Sequence, residues 1–278
     1  MTAVTSTTAA MPVPRLRRAA TATGSAPVRV LMLHGMGGGI GSWDPLDPLL
    51  SADQELWDVG FPWSVSGGTD WAHAAEGIGL AEAAIGAVAP DVVVAHSFAA
   101  NVLLELAERE GPRWTLPMVL LSPFYRASCA DFDWSSIGRY VEGFRRMLDD
   151  GIKLRAGSRI DDATRADMAG RLCELMGPYT WLRFFEIYLR TPLLELDQIE
   201  VPALVVGGEL DQGAFADGAR ALARGLPLAG AEILDGCGHF PMIERPAALA
   251  EAINRFISDL PAVPGRGGPS DRILERTT

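Results

Sequence analysis

Lysine is almost missing from this chain: among 278 residues there is one, Lys153. A phosphate-cradling P-loop needs its lysine directly after a glycine; Lys153 follows Ile152, which closes that mode of nucleotide binding. Histidine is scarce as well. His34, His73, His96 and His239 are the only four, and any imidazole chemistry must draw on them. Cys129, Cys173 and Cys237 lie far apart and form no CxxC pair, so neither a zinc site nor a disulfide framework is expected, and the odd count points to a reducing compartment. No apolar segment follows Arg15, Arg17 and Arg18 as it would in a secretory signal, so the expected location is cytoplasmic. No apolar run approaches the roughly 18 residues of a membrane span. Basic residues are outnumbered 24 to 35, a formal charge of −11, which argues against nucleic acid or an anionic membrane as partner.

What the chain has in quantity is apolar residues, 48% against 21% charged, enough for a sizeable core. Short runs rich in Val and Leu predict strands over Val28–Leu33, Asp91–Ala95, Met118–Leu121, Ala203–Val206 and Glu232–Leu234, with a weaker one over Gln54–Val59. Apolar residues at successive positions are the mark of strands buried on both faces. Helices are predicted between them. Ser97–Glu110 ends at Gly111-Pro112, where glycine tolerates a left-handed cap and proline cannot continue. Pro246–Leu260 opens with proline in its first turn and aligns Leu249, Ile253, Phe256 and Ile257 on one face. Such alternation predicts a mostly parallel α/β sheet, doubly wound and of about six strands. The stretch 126–199 carries no convincing strand and instead three helical patterns, over Trp134–Asp149, Asp161–Met176 and Tyr179–Leu189. We therefore expect a core of 27–125 and 200–260, a helical cap of 126–199 over the sheet's carboxyl edge, a disordered arm of 1–26 and a flexible tail of 261–278.

Two segments carry sharper signals. In Asp91-Val-Val-Val-Ala-His96-Ser97-Phe98-Ala99-Ala100 a buried strand runs through a serine straight into a helix. So abrupt a turn strains the backbone at Ser97 and leaves room only for small side chains two residues either side, where Ala95 and Ala99 stand. Read alone, Ser97 could equally be a helix cap. In Val30-Leu-Met-Leu-His34-Gly35-Met36-Gly37-Gly38-Gly39 a strand ends in a glycine-rich turn. A dinucleotide loop G-x-G-x-x-G does not occur there, because Ile40 takes the third glycine's place. Two further segments place an acid or a histidine beyond a strand: Val201-Pro-Ala-Leu-Val-Val-Gly-Gly-Glu209-Leu-Asp211, and Gly236-Cys-Gly-His239-Phe-Pro-Met-Ile-Glu244-Arg-Pro246. Each is modest alone, since acids after strands are commonly caps and loop histidines commonly have no special role.

Together these segments resemble the α/β-hydrolases over roughly Val28 to Leu260. The Ser97 turn is similar to that family's nucleophile elbow G-x-S-x-G with both glycines replaced by alanine, and Ser97, Asp211 and His239 follow its chain order. The resemblance implies a serine esterase or thioesterase with a helical cap. Ser97 would be nucleophile, His239 general base and Asp211 its orienting acid, with Glu209 a rival two residues away. Backbone N–H groups of Met36 (or Gly37) and Phe98 would form the oxyanion hole. His34, Gly35, Trp63, Trp134, Phe144, Trp181 and Phe185 are expected around the substrate pocket, which favours a medium-sized apolar, even polyketide-like, acyl substrate. No cofactor or metal is implied. A serine at the elbow excludes the dehalogenase and epoxide hydrolase branches, which need a carboxylate there. The same residues could also serve a lyase, a C–C hydrolase or an acyltransferase, or line a non-catalytic ligand receptor. The stretch before Val28 does not read as strand, so no additional edge strand is expected there.

Overall fold

In a computed structural model, which describes residues 12–21, 26–64, 67, 71–74 and 77–261, β4 (Val92–His96) is the centre on which the rest is organised. Its side chains alternate between two apolar layers. Val93 and Ala95 face one, and Val92 and Val94 the other. The same alternation holds in β2 (Val28–Leu33), with Leu31 and Leu33 opposite Val30 and Met32, and in β5 (Met118–Leu121). This is why these strands are apolar at every position instead of every second one.

With β1 (Pro14–Arg18), β3 (Gln54–Val59), β6 (Ala203–Gly208) and β7 (Ala229–Leu234), they form a seven-stranded sheet in the order β1-β3-β2-β4-β5-β6-β7. Every pairing is parallel except β1 with β3. Two of the helices, α1 (Trp71–Ala74) and α2 (Gly77–Val88), precede β4, and α3 (Phe98–Glu110) follows it. Helices α4 (Trp134–Ala156) and α5 (Asp162–Arg190) lie between β5 and β6, and α6 (Ala216–Gly225) joins β6 to β7. The chain closes with α7 (Pro241–Glu244) and α8 (Pro246–Asp259). Residues of α2 and α3 fill the first apolar layer, and Leu249, Ile253 and Ile257 of α8 the second. Because the strand order reverses between β2 and β4, a crevice forms beyond their carboxyl ends, where open parallel sheets bind ligands.

Two expectations are corrected. The sheet has seven strands, not about six, because β1 lies inside the stretch expected to be a loose arm. Arginines hold it in place. Arg15 and Arg17 donate to the buried Asp58 at 2.8 and 3.1 Å, Arg17 also reaches Asp47 at 2.8 Å and pairs with Asp44, and Arg18 donates to the Asp47 carbonyl at 2.7 Å. An edge strand held by ion pairs carries no apolar pattern to announce it. The two helical patterns over 161–176 and 179–189 form one long α5, kinked where Gly177 leaves helical geometry (φ 66°, ψ 169°) before Pro178. The tail beyond residue 261, like residues 1–11, lies outside the described residues.

Candidate active site

Ser97 sits between β4 and α3 with φ 56° and ψ −124°, a conformation rare for any residue with a side chain. The surroundings hold it there: its N–H donates to Leu121 O at 2.8 Å, and its carbonyl accepts the Ala100 N–H at 2.8 Å. Gly35, at the end of β2, is pressed against the same turn. A Cβ on Gly35 would lie 2.8 Å from Ser97 Cβ and 3.0 Å from the His96 carbonyl oxygen, so glycine is required for steric reasons.

The loops after β6 and β7 bring the acid and the imidazole to this serine. Asp211 Oδ2 lies 2.7 Å from His239 Nδ1, and His239 Nε2 lies 3.0 Å from Ser97 Oγ. All three side chains are buried. A carboxylate can only accept, so Nδ1 carries the proton and Nε2 presents a lone pair to the serine hydroxyl. The other Asp211 oxygen accepts the N–H groups of Gly213 and Ala214 at 2.9 and 3.0 Å, which fixes the carboxylate's plane. The rival Glu209 is turned elsewhere: its carboxylate accepts the Gly236 N–H at 2.8 Å, tying the acid loop to the histidine loop.

The two turns also decide which amides are available. The Gly37 N–H is engaged with Trp63 O at 2.9 Å. Phe98 begins α3, where an N–H has no intrahelical acceptor. The N–H of Met36 donates to no acceptor among the described residues. Of the pair Met36 or Gly37, it is Gly37 whose N–H is already engaged within the protein.

The two other histidines near the site, His34 and His96, are held neutral. His34 Nε2 accepts the Phe61 N–H at 3.0 Å and Nδ1 donates to Gly35 O at 2.9 Å, and burial pushes the imidazole pKa down to about 4. This neutral ring braces the turn and does not line the cleft. His96 is also held well below the ordinary imidazole range, first by burial and then by repulsion from His239. Burial raises the Cys237 thiol to about 12, which keeps it from competing as a nucleophile.

The expected aromatic pocket is where sequence and structure part. A cleft of about 890 Å³ opens beside Asp211, Gly238 and His239, and its wall from α4 and α5 is largely charged, with Arg146, Asp150, Lys153, Asp162 and Arg165. Ser97 does not line it, and neither does any of the seven expected pocket residues. Trp134 is 90% exposed at the start of α4. Trp63 is buried, stacked on Phe61 at 4.1 Å and edge-on to Phe98 at 5.3 Å. Phe144, Trp181 and Phe185 join Phe184 in the seam between α4 and α5, Phe144 meeting Trp181 edge-on at 4.2 Å. Gly35 lies under the serine. Aromatics at helical spacing here bury one another, the larger gain when two helices share a seam.

The fold, the strained serine turn and the converging acid, imidazole and hydroxyl define an α/β-hydrolase-type site. The sequence model of the alpha/beta hydrolase family matches residues 30–252, and the chain belongs to that family. Among solved structures it is similar to the esterase RhEst1 from Rhodococcus sp. ECU1013, with a TM-score of 0.60 at 19% identity over 90% of this chain and 95% of that one. It is likewise similar to the enol-lactonase from Burkholderia xenovorans LB400, with a TM-score of 0.57 at 17% identity over 89% and 96%. At such identities the likeness shows the fold. A stretch of 65 residues is 34% identical to monoacylglycerol lipase ABHD6 of Mus musculus, covering 23% of this chain and 19% of that relative's length. Among the described residues, no helix is long and apolar enough to cross a membrane and no cluster of potential metal ligands occurs.

Proposed function

We propose that this protein is a serine hydrolase of small-molecule carboxylic esters or thioesters that works through an acyl-enzyme. The observation that carries this reading is the continuous line from Asp211 through His239 to Ser97, at 2.7 and 3.0 Å, ending on a serine in a strained turn. Ser97 Oγ attacks the substrate carbonyl carbon as its proton passes to His239 Nε2, and Asp211 stabilises the imidazolium. The N–H groups of Met36 and Phe98 receive the developing oxyanion. Collapse of the tetrahedral species expels the alcohol or thiol, which takes the proton from His239. Water, deprotonated by the same imidazole, then releases the acid and restores Ser97. The charged wall of the cleft beside His239 favours a medium-sized substrate that presents a polar portion on that side.

A fluorophosphonate probe tests the reading without knowledge of the substrate. It should label the wild type and leave Ser97→Ala unlabelled, and p-nitrophenyl ester turnover should fall by at least about 10⁴-fold in that variant. A folded wild type that takes no label would overturn it. Labelling without turnover of any ester or thioester in a panel would favour elimination or acyl transfer on the same residues.

A further inference from the structure

Resting on that reading, we infer that His96 and Glu244 form a two-sided clamp on the backbone of His239, and that both are positioning residues for the reaction. The Glu244 carboxylate accepts the N–H of Gly238 at 2.7 Å with Oε2 and the N–H of Phe240 at 2.9 Å with Oε1. It thus holds the N–H groups of the two residues that flank His239 in the chain. From the opposite side, His96 Nε2 lies 2.8 Å from the His239 carbonyl oxygen. A carbonyl can only accept, so His96 donates there as its Nε2–H tautomer. Three hydrogen bonds from two side chains therefore fix the His239 carbonyl and the N–H groups of the residues on either side of it.

The arrangement is tight on both sides. A Cβ on Gly238 would sit 3.1 Å from both Glu244 carboxylate oxygens, and one on Gly208 would collide with Gly238 O at 2.1 Å. The His96 ring lies 5.1 Å from the His239 ring and 5.7 Å from Phe240. His96 also directly precedes Ser97, so it couples the serine turn to the histidine loop: any shift of one is felt by the other. Because burial and repulsion from His239 keep His96 neutral, it goes on donating when His239 becomes imidazolium during turnover. Glu244, half-buried on the cleft wall, holds the loop ahead of α8, five residues after the imidazole it positions.

The test compares His96→Phe, which keeps a ring without the donor, His96→Gln, whose amide can donate to the same carbonyl, and Glu244→Ala. Misplacing a base by about 1 Å costs on the order of 10²-fold in rate. His96→Phe and Glu244→Ala should therefore lower kcat on p-nitrophenyl butyrate and the fluorophosphonate labelling rate by about 10- to 10²-fold, with KM within about twofold. His96→Gln should recover to within about threefold of wild type. Equal rates in wild type, His96→Phe and Glu244→Ala would overturn the clamp, as would equal slowing in His96→Phe and His96→Gln, which would mean packing and not the donated bond. If His96→Phe fails to fold, the partly exposed Glu244 still decides the outcome. Wild type that takes no label brings down the serine-hydrolase reading and the clamp with it, whereas labelled wild type with unslowed variants brings down the clamp alone.

Discussion

At the carboxyl edge of the sheet nearly every residue near Ser97 is held by a named bond or a close approach: Gly35 under the serine, Gly37 on Trp63, Asp211 on Gly213, Ala214 and His239. In α4 and α5, inserted between β5 and β6, the inner faces meet through aromatic packing, and the ion pairs, such as Arg165 with Asp149 and Arg183 with Glu186, lie largely outside that seam. Phe144 and Phe184 of their aromatic seam are buried and Trp181 and Phe185 partly so, yet Leu175, Tyr179 and Leu182 of α5 stay exposed around the Gly177 kink. The difference separates two kinds of constraint. Bonds and clashes tolerate few residue types, so the edge is costly to alter and specific in sequence. Packing tolerates apolar side chains of similar volume, so the aromatic seam of the insertion should accept changes that the edge does not. Substitutions on the two sides should therefore break different properties.

The largest effect belongs to the edge. Asp211→Asn leaves the volume unchanged but can present an NH₂ to His239 Nδ1, which favours the wrong tautomer; kcat on p-nitrophenyl esters should fall by about 10⁴-fold with the melting temperature nearly unchanged. A loss below tenfold would mean that Glu209 or another acid substitutes for it.

On the insertion side, Phe184→Ala removes a ring that meets Phe124 at 4.8 Å and Phe185 at 5.3 Å. Thermal or urea unfolding should show a loss of about 3–5 kcal/mol. Fluorophosphonate labelling of the folded fraction should remain within a few-fold of wild type. If labelling collapses instead, the seam supports the chemistry directly and the two regions are not separable.

The edge should also respond to acid. His34 has a folded pKa of about 4 against an ordinary value of 6.5, so the unfolded chain binds its proton first. The stability tied to the neutral ring is complete above about pH 6.5 and is lost as pH falls toward 4, by about 3 kcal/mol at pH 4. Chemical denaturation of wild type and His34→Gln across pH 7 to 4 should give the variant the shallower slope. Parallel slopes would show that His34 binds its proton equally in the folded and unfolded states, so that its burial carries no pH-dependent stability.

The same contrast explains what the sequence disclosed. The elbow was legible because a strained turn demands alanine or glycine around Ser97, and Ala95 and Ala99 satisfy it. The choice of Asp211 over Glu209 came from motif position, and the geometry supplies a reason: only Asp211 is two residues farther along the loop, in reach of His239. Strand β1 was illegible because its sequence, Pro14-Arg-Leu-Arg-Arg18, is specified by charges on another strand, chiefly Asp58. His96 and Glu244 stood inside segments already singled out, but nothing in the residue order says that a carboxylate will reach back to two amides. The aromatics of α4 and α5 were hard to place for a different reason. Helical spacing reveals which residues share a face, but it does not say whether that face meets a cavity or another helix.

Trp134 puts that last point to its sharpest test. It is the first residue of α4, 90% exposed, and its neighbour Asp133 caps the helix by accepting the Ser136 N–H at 2.6 Å. Replacing it with serine leaves the cap intact and removes no buried contact. Stability should stay within about 0.5 kcal/mol of wild type, and kcat and KM on p-nitrophenyl butyrate should be unchanged. A raised KM at unchanged kcat would mean that this end of α4 folds over the cleft when substrate binds, and would return Trp134 to the pocket wall that its sequence position suggested. An unchanged KM leaves the exposed ring outside the site.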